Sequence, residues 1–256
     1  MRILCVCPTY GRPALLANAI ACFEAQNYQD RVLLVMDDLG QIDEQVGDRW
    51  KILSTPTRYP SLPAKYNAML KIAAVCDRFD AVAVWDDDDI YLPWHLSAVA
   101  AALADGAPSA KPSLVWSLYR PFGAEAEGPW RENAGGRFHG SLAISQSHLE
   151  SLGGWIQTKR ADFDQQQIAA CRPAVDTLDH SPQNSPSYVF RWGSTGAPHC
   201  QGLMSSPDNE DWYDRYKPAD ASPVDWLVPE MDHETEGIYR KFACSPIAKA
   251  EPVQNL

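Results

Sequence analysis

Ala81-Val82-Ala83-Val84-Trp85-Asp86-Asp87-Asp88-Asp89-Ile90-Tyr91-Leu92-Pro93 passes from five apolar residues directly into four aspartates. Residues 81–85 predict a short buried strand, and Pro93 followed by Trp94-His95-Leu96 predicts the start of a helix. The acidic run therefore falls where a strand ends. Two carboxylates held ~5 Å apart repel by roughly 3 kcal/mol at an effective dielectric of ~20, so a fixed cluster requires positive charge within it. A hard divalent cation, Mn²⁺ or Mg²⁺, meets that requirement, because such ions favour oxygen ligands and bridge carboxylates to substrate phosphates. On this view, removing one carboxylate should leave the fold intact. The plainer reading is a solvated acidic turn whose Asp89 caps the following helix.

Working outward, residues 2–7 form an apolar strand, and Pro8-Thr9-Tyr10-Gly11-Arg12-Pro13 turns into a helix over about 14–26 with Leu15, Leu16, Ala19, Ile20 and Phe23 on one face. Further strands are predicted at 32–36 and 51–53 and a helix at 62–75, with another helix reaching about Leu103. Strand and helix alternation predicts an α/β fold with a mixed, mostly parallel sheet flanked by helices. Beyond residue 106 the pattern weakens. Strands are expected at 114–119, 138–145 and 187–192, a Gly-rich polar loop at 125–136, and helices at 148–152 and 164–171. The expected organisation is one domain over 1–204, with a nucleotide-binding half at 1–105 and an acceptor-side half at 106–204. An irregular C-terminal extension, rich in proline and aromatics, covers 205–256.

Composition narrows the function. The 256 residues are 45% hydrophobic and carry a net charge of −11, which argues against broad binding to nucleic acid or anionic membrane. Lys65, Arg120, Arg131, Arg137, Lys159, Arg160, Arg172 and Arg191 are the residues from which a local basic groove would be built. The N-terminus does not read as a signal peptide and no apolar run is long enough to span a bilayer, so a cytoplasmic location is expected. The seven cysteines lack a paired Cys-x-x-Cys and read as reduced thiols, mostly in apolar segments.

Several of these segments, taken in order, resemble the family 2 glycosyltransferases of GT-A (Rossmann-like) fold: Cys7-Pro8-Thr9-Tyr10-Gly11-Arg12-Pro13, Met36-Asp37-Asp38, Ala64-Lys65-Tyr66-Asn67 and Trp85-Asp86-Asp87-Asp88-Asp89. Gly153-Gly154-Trp155 followed by Asp162-Phe163-Asp164 looks like the acceptor-side motif of that family. The likeness spans about residues 2–200. It implies a metal-dependent, inverting transfer of sugar from a nucleotide-diphosphate sugar, with a UDP-sugar favoured over a GDP-sugar, to a hydroxyl acceptor. Charge disfavours a nucleic-acid acceptor. By this resemblance Asp86-x-Asp88 is the DxD motif, with Asp88 as metal ligand, Asp89 as the alternative register and Asp87 within the donor site. His199 is a candidate further ligand.

Chemistry suits these roles. A metal held by Asp86 and Asp88 would stabilise a departing diphosphate. Pro8, Thr9, Tyr10 and Arg12 would line the nucleotide site, Asp37 or Asp38 would accept from the base, and Lys65 would neutralise phosphate. Asn67 matches the family's asparagine, and His139 would face the donor sugar. Asp162 is expected as the base that removes the acceptor proton, with Asp164 as alternative; both also suit a helix N-cap. Two other readings compete: a non-catalytic, cation-stabilised carbohydrate-binding or interaction protein, and a pyrophosphorylase-like nucleotidyltransferase. The latter should carry a Gly-rich loop after its first strand, where this chain has a single glycine.

Overall fold

A computed structural model of the chain describes residues 1–119 and 127–191. Its first part runs β1 (Ile3–Thr9), α1 (Pro13–Glu24), β2 (Arg31–Asp37), β3 (Gln45–Val46), β4 (Trp50–Ser54), α2 (Leu62–Cys76), β5 (Ala81–Val84), β6 (Ile90–Tyr91) and α3 (His95–Ala104). Then come β7 (Ser109–Ala110), β8 (Leu114–Tyr119), β9 (Glu127–Asn133), β10 (Ala143–Ser145), α4 (Gln146–Ser151), α5 (Phe163–Cys171) and β11 (Tyr188–Arg191). The main sheet has seven strands in the order β3-β4-β2-β1-β5-β10-β7. Its centre, β4-β2-β1-β5, is parallel, whereas β3, β10 and β7 pair antiparallel.

Uninterrupted apolar strands are explained by burial on both faces. Ile3, Cys5, Cys7, Leu33, Val35, Ala81, Ala83 and Trp85 join α1 and α3 residues in one core. Leu4, Val6, Leu34, Met36, Val82 and Val84 face the other way, into a core closed by Tyr66, Met69, Trp155, Phe163 and Ile168. Alternate residues thus serve opposite layers, as the period of a strand dictates. At the start of α2, Ser61 Oγ accepts from the Ala64 amide at 3.3 Å and Pro63 sits in the first turn, where its missing N–H costs nothing.

Two expectations are corrected. Residues 127–133, expected as loop, form β9, antiparallel to β8 within a second sheet of order β6-β11-β8-β9. The strand expected over 138–145 shrinks to β10, because His139–Ser141 make a 3₁₀ turn after Phe138, whose φ is 60°. The extension at 205–256 lies outside the described residues.

Candidate functional site

From β1 the chain steps to β2 and β4 on one side, then α2 carries it back to β5 on the other side of β1. The strand order reverses between β1 and β5, and crevices outside the carboxyl ends of strands at such a switch are where open α/β sheets bind ligands. Thr9 ends β1 and the aspartates follow β5, so both arrive at this point.

The four carboxylates diverge. Thr9 Oγ1 donates to Asp87 Oδ2 at 2.6 Å. Arg12, on the turn before α1, pairs with Asp87 Oδ1 at 2.5 Å through one guanidinium nitrogen and with Asp88 Oδ2 through another. Asp89 accepts from the Tyr188 hydroxyl and, at 2.9 Å, from the Arg191 amide; Arg191 Nε donates to the Asp88 carbonyl. Asp86, the most exposed of the four, accepts from the Tyr66 hydroxyl at 3.2 Å. Burial and neighbouring carboxylates push the Tyr66, Tyr91 and Tyr188 phenols well up, keeping them protonated donors. Tyr91 stacks on Trp85 with ring centroids 3.8 Å apart, accepts from the Asp86 amide at 2.7 Å and donates to the Gly140 carbonyl at 3.1 Å. A Cβ at Gly140 would lie 2.6 Å from both Asp86 Oδ2 and the Tyr188 hydroxyl, so only glycine lets the chain pass this closely. The positive charge expected within the cluster is present as Arg12, with Thr9, Tyr66 and Tyr188 as further donors, and the plainer reading of a solvated turn is corrected, since Asp87, Asp88 and Asp89 are buried.

Four nucleotide-site candidates are buried and engaged with protein partners. Asp37 is fully buried, and its oxygens accept from the amides of Leu39, Gln41 and Ile42 and from Ser54 Oγ. Asp38 takes the Tyr59 amide at 3.0 Å and pairs with Lys65 Nζ at 2.6 Å. Lys65 is 2% exposed and also donates to the Thr9 carbonyl at 2.6 Å. Burial lowers its ammonium pKa while Asp38 opposes that shift, as in a buried ion pair. Thr9 is likewise buried. Pro8 lies within β1 opposite Met36, and Arg58 covers the Tyr10 ring at 4.1 Å.

On the far side, Asn67 donates to the Trp155 carbonyl at 2.9 Å and accepts from its amide at 2.8 Å. Trp155 stacks on Tyr66 at 4.8 Å, and its Nε1 donates to His139 Nε2 at 3.2 Å. His139 is buried, its pKa is pushed down to about 3 chiefly by that burial, and its ring meets Tyr66 and Phe163. It is a neutral acceptor in a packed aromatic cluster, with little surface to offer a sugar. Phe163 ties Asp162 and Asp164 to this cluster. Arg160 grips Asp162 through Nε at 3.0 Å and Nη2 at 3.1 Å, and Gln166 adds a bond at 2.7 Å; this grip lowers its pKa. Asp162 occupies the N-cap position without a side-chain cap bond, so the capping role is not what holds it. Burial raises the pKa of Asp164.

Among the described residues, no group of three or more His, Cys, Asp or Glu converges to hold a metal. The available donors are hard oxygens, and Mg²⁺ sites need only one or two protein carboxylates when phosphates complete the shell. Asp86 and Asp88 have the oxygen chemistry for such a shared site, although their present partners, Tyr66 and Arg12, differ. His199 and Arg120 lie outside the described residues. Reading the sequence missed Tyr66, Tyr91, Gly140 and Tyr188; the aromatic residues flanking Asp86–Asp89 were the available signal.

No protein-family model matches the chain, and no curated protein matches it. Solved structures do share its fold. Residues 1–349 of S. aureus TarS superpose with a TM-score of 0.51 at 13% identity, covering 75% of this chain and 60% of that one. The same fragment in complex with UDP gives 0.50 at 14% identity, covering 75% and 61%. Its complex with UDP-GlcNAc gives 0.51 at 13% identity, covering 94% and 71%. The chain thus spans about 60% of the TarS fragment in the first of these matches, and at this identity the likeness establishes one thing, a mixed α/β fold of the GT-A type.

Proposed function

We propose that this chain is an inverting glycosyltransferase that moves a sugar from a UDP-sugar, with a GDP-sugar as the second candidate, to a hydroxyl acceptor in the cytoplasm. The observation that carries this reading is the acidic run after β5 at the switch point, tied by Arg12 to the end of β1. The fold shared with TarS, whose structures hold UDP and UDP-GlcNAc, supports the donor class. Unpaired Cys5, Cys7, Cys22, Cys76 and Cys171 suit a reducing compartment.

In this reading Asp88 and Asp86 would hold Mn²⁺ or Mg²⁺, which when bound supplies charge stabilisation to the departing diphosphate. Arg12, already beside Asp87 and Asp88, adds fixed positive charge where negative charge develops. Tyr66 orients the Asp86 carboxylate, and Gly140 lets the backbone pass close beside it. Asp162 takes the proton from the acceptor hydroxyl, held in place by Arg160 and Gln166, with Asp164 as the alternative base. Incubation with UDP-GlcNAc, Mn²⁺ and a panel of hydroxyl acceptors, with free UDP as readout, tests the reading. Acceptor-dependent release that Asp162→Asn or Asp164→Asn abolishes supports transfer. Saturable UDP binding without release under any acceptor would make the chain a non-catalytic binder.

A further inference from the structure

Lys111 follows β7 with its backbone fixed on both sides: its amide donates to the Val175 carbonyl at 3.1 Å and its carbonyl accepts from the Thr177 amide at 3.4 Å. The residue is 5% exposed, yet among the described residues Nζ has no hydrogen-bond partner. An ammonium buried without a partner is costly, and such a group points to a ligand or a function. A second cation shares its aromatic neighbour. Nζ lies 6.0 Å from the centre of the Phe138 ring, and the Arg137 guanidinium lies over the same ring at 5.0 Å. Two acids lie nearby, and both are engaged elsewhere: Glu132 pairs with Arg137 Nη2 at 2.6 Å, which also donates to the Asn133 carbonyl at 3.0 Å, and Asp176 Oδ1 accepts from the amides of Ser113 and Leu178 at 2.8 and 2.9 Å. Burial first, then Arg137, bring the Lys111 pKa down to about 7. Lys111 in turn helps to depress His139, which places the charge beside the aromatic cluster that contacts Asp86 through Tyr66.

We propose that Lys111 and Arg137, set on the Phe138 ring next to His139, form a subsite for a phosphate-type oxyanion carried by the acceptor. The word acceptor rests on the transferase reading above; the anion site does not. Lysine binds phosphate as a point charge and needs no planar fork, which suits a single buried Nζ. The acceptor, rather than the donor's diphosphate, is the expected carrier of this anion, and titration with and without UDP distinguishes the two.

Calorimetric titration of the whole chain with inorganic phosphate at constant ionic strength, with and without saturating UDP and Mg²⁺, is the test. Phosphate is expected to bind equally well in both, to lose at least ~10-fold in affinity in Lys111→Met and a smaller factor in Arg137→Gln, while UDP affinity is unchanged. On the wild-type protein, reductively ¹³C-methylated Lys111, assigned by its loss in Lys111→Arg, should shift its resonance on phosphate addition. Equal phosphate affinity in all variants, or no phosphate binding with an unmoved Lys111 resonance, overturns the subsite. Competition between phosphate and UDP overturns its assignment to the acceptor. Failure of UDP itself to bind would instead strike the transferase reading and leave the phosphate result to be judged separately.

Discussion

Asn67 holds both main-chain polar groups of Trp155, accepting its amide at 2.8 Å and donating to its carbonyl at 2.9 Å, and so fastens α2 to the turn that follows α4. Gly154, at φ +93°, makes room for this, since a Cβ there would run into Asn67 Oδ1. Asn67→Ala orphans two partly buried groups and should cost about 2–4 kcal/mol in denaturant unfolding. Gly154→Ala should also destabilise, and by less in the Asn67→Ala background than in the wild type. Equal costs in the two backgrounds would mean that the contact is not what selects glycine.

Arg12 supplies the positive charge that the sequence reading assigned to a metal. Chelation of divalent ions should therefore leave the apo melting temperature unchanged. Arg12→Ala leaves Asp87 and Asp88 without their shared guanidinium and should cost ~3–5 kcal/mol. In that variant added Mn²⁺ should raise the melting temperature by more than it does in the wild type. An Arg12→Ala protein as stable as the wild type, with no added response to Mn²⁺, would contradict the role assigned to this residue.

Acid should destabilise the fold through two imidazoles. His95 and His139 are buried, and desolvation lowers each pKa from an ordinary 6.5 to about 3. Between these values the unfolded chain binds protons that the folded chain does not. Their contribution is thus complete above pH 6.5 and is lost as pH falls toward 3. Chemical denaturation at stepped pH should show stability falling by several kcal/mol across that window, with a weaker slope in His95→Gln; a flat profile would mean that these rings are solvated.

The two candidate bases separate by pH as well as by substitution. Arg160 lowers the pKa of Asp162, whereas burial raises that of Asp164. A base works only when deprotonated, so the acid limb of kcat/KM should lie below the ordinary aspartate range if Asp162 acts and above it if Asp164 does. Asp162→Asn should keep UDP affinity and lower transfer by ~10²-fold or more, with Asp164→Asn as the matched control.

The parallel centre of the main sheet was legible because its strands are buried on both faces and read as unbroken apolar runs. β9 was not, since Glu127-Gly128-Pro129 and the charges after Trp130 look like loop and its pairing with β8 is a tertiary fact. Within the site, the acidic run announced itself, but its partners did not. Arg12 and Lys65 look alike in sequence as basic residues near a turn. Only the structure distinguishes a cation beside the carboxylates from one locked onto Asp38. Lys111 sits after a two-residue strand with no motif around it, and its importance comes from burial, which one sequence does not display.

Calorimetric titration of the chain with UDP in the presence of Mn²⁺, in the wild type and in Asp88→Asn, tests the nucleotide-sugar reading most directly. Asparagine keeps the size of the side chain and an acceptor for Arg12 while removing the charge. The predicted result is one UDP per chain, binding that weakens sharply when Mn²⁺ is chelated, and loss of that binding in an Asp88→Asn protein that still melts cooperatively. No binding of UDP to the wild type, or the same Mn²⁺-dependent affinity in Asp88→Asn, would contradict it.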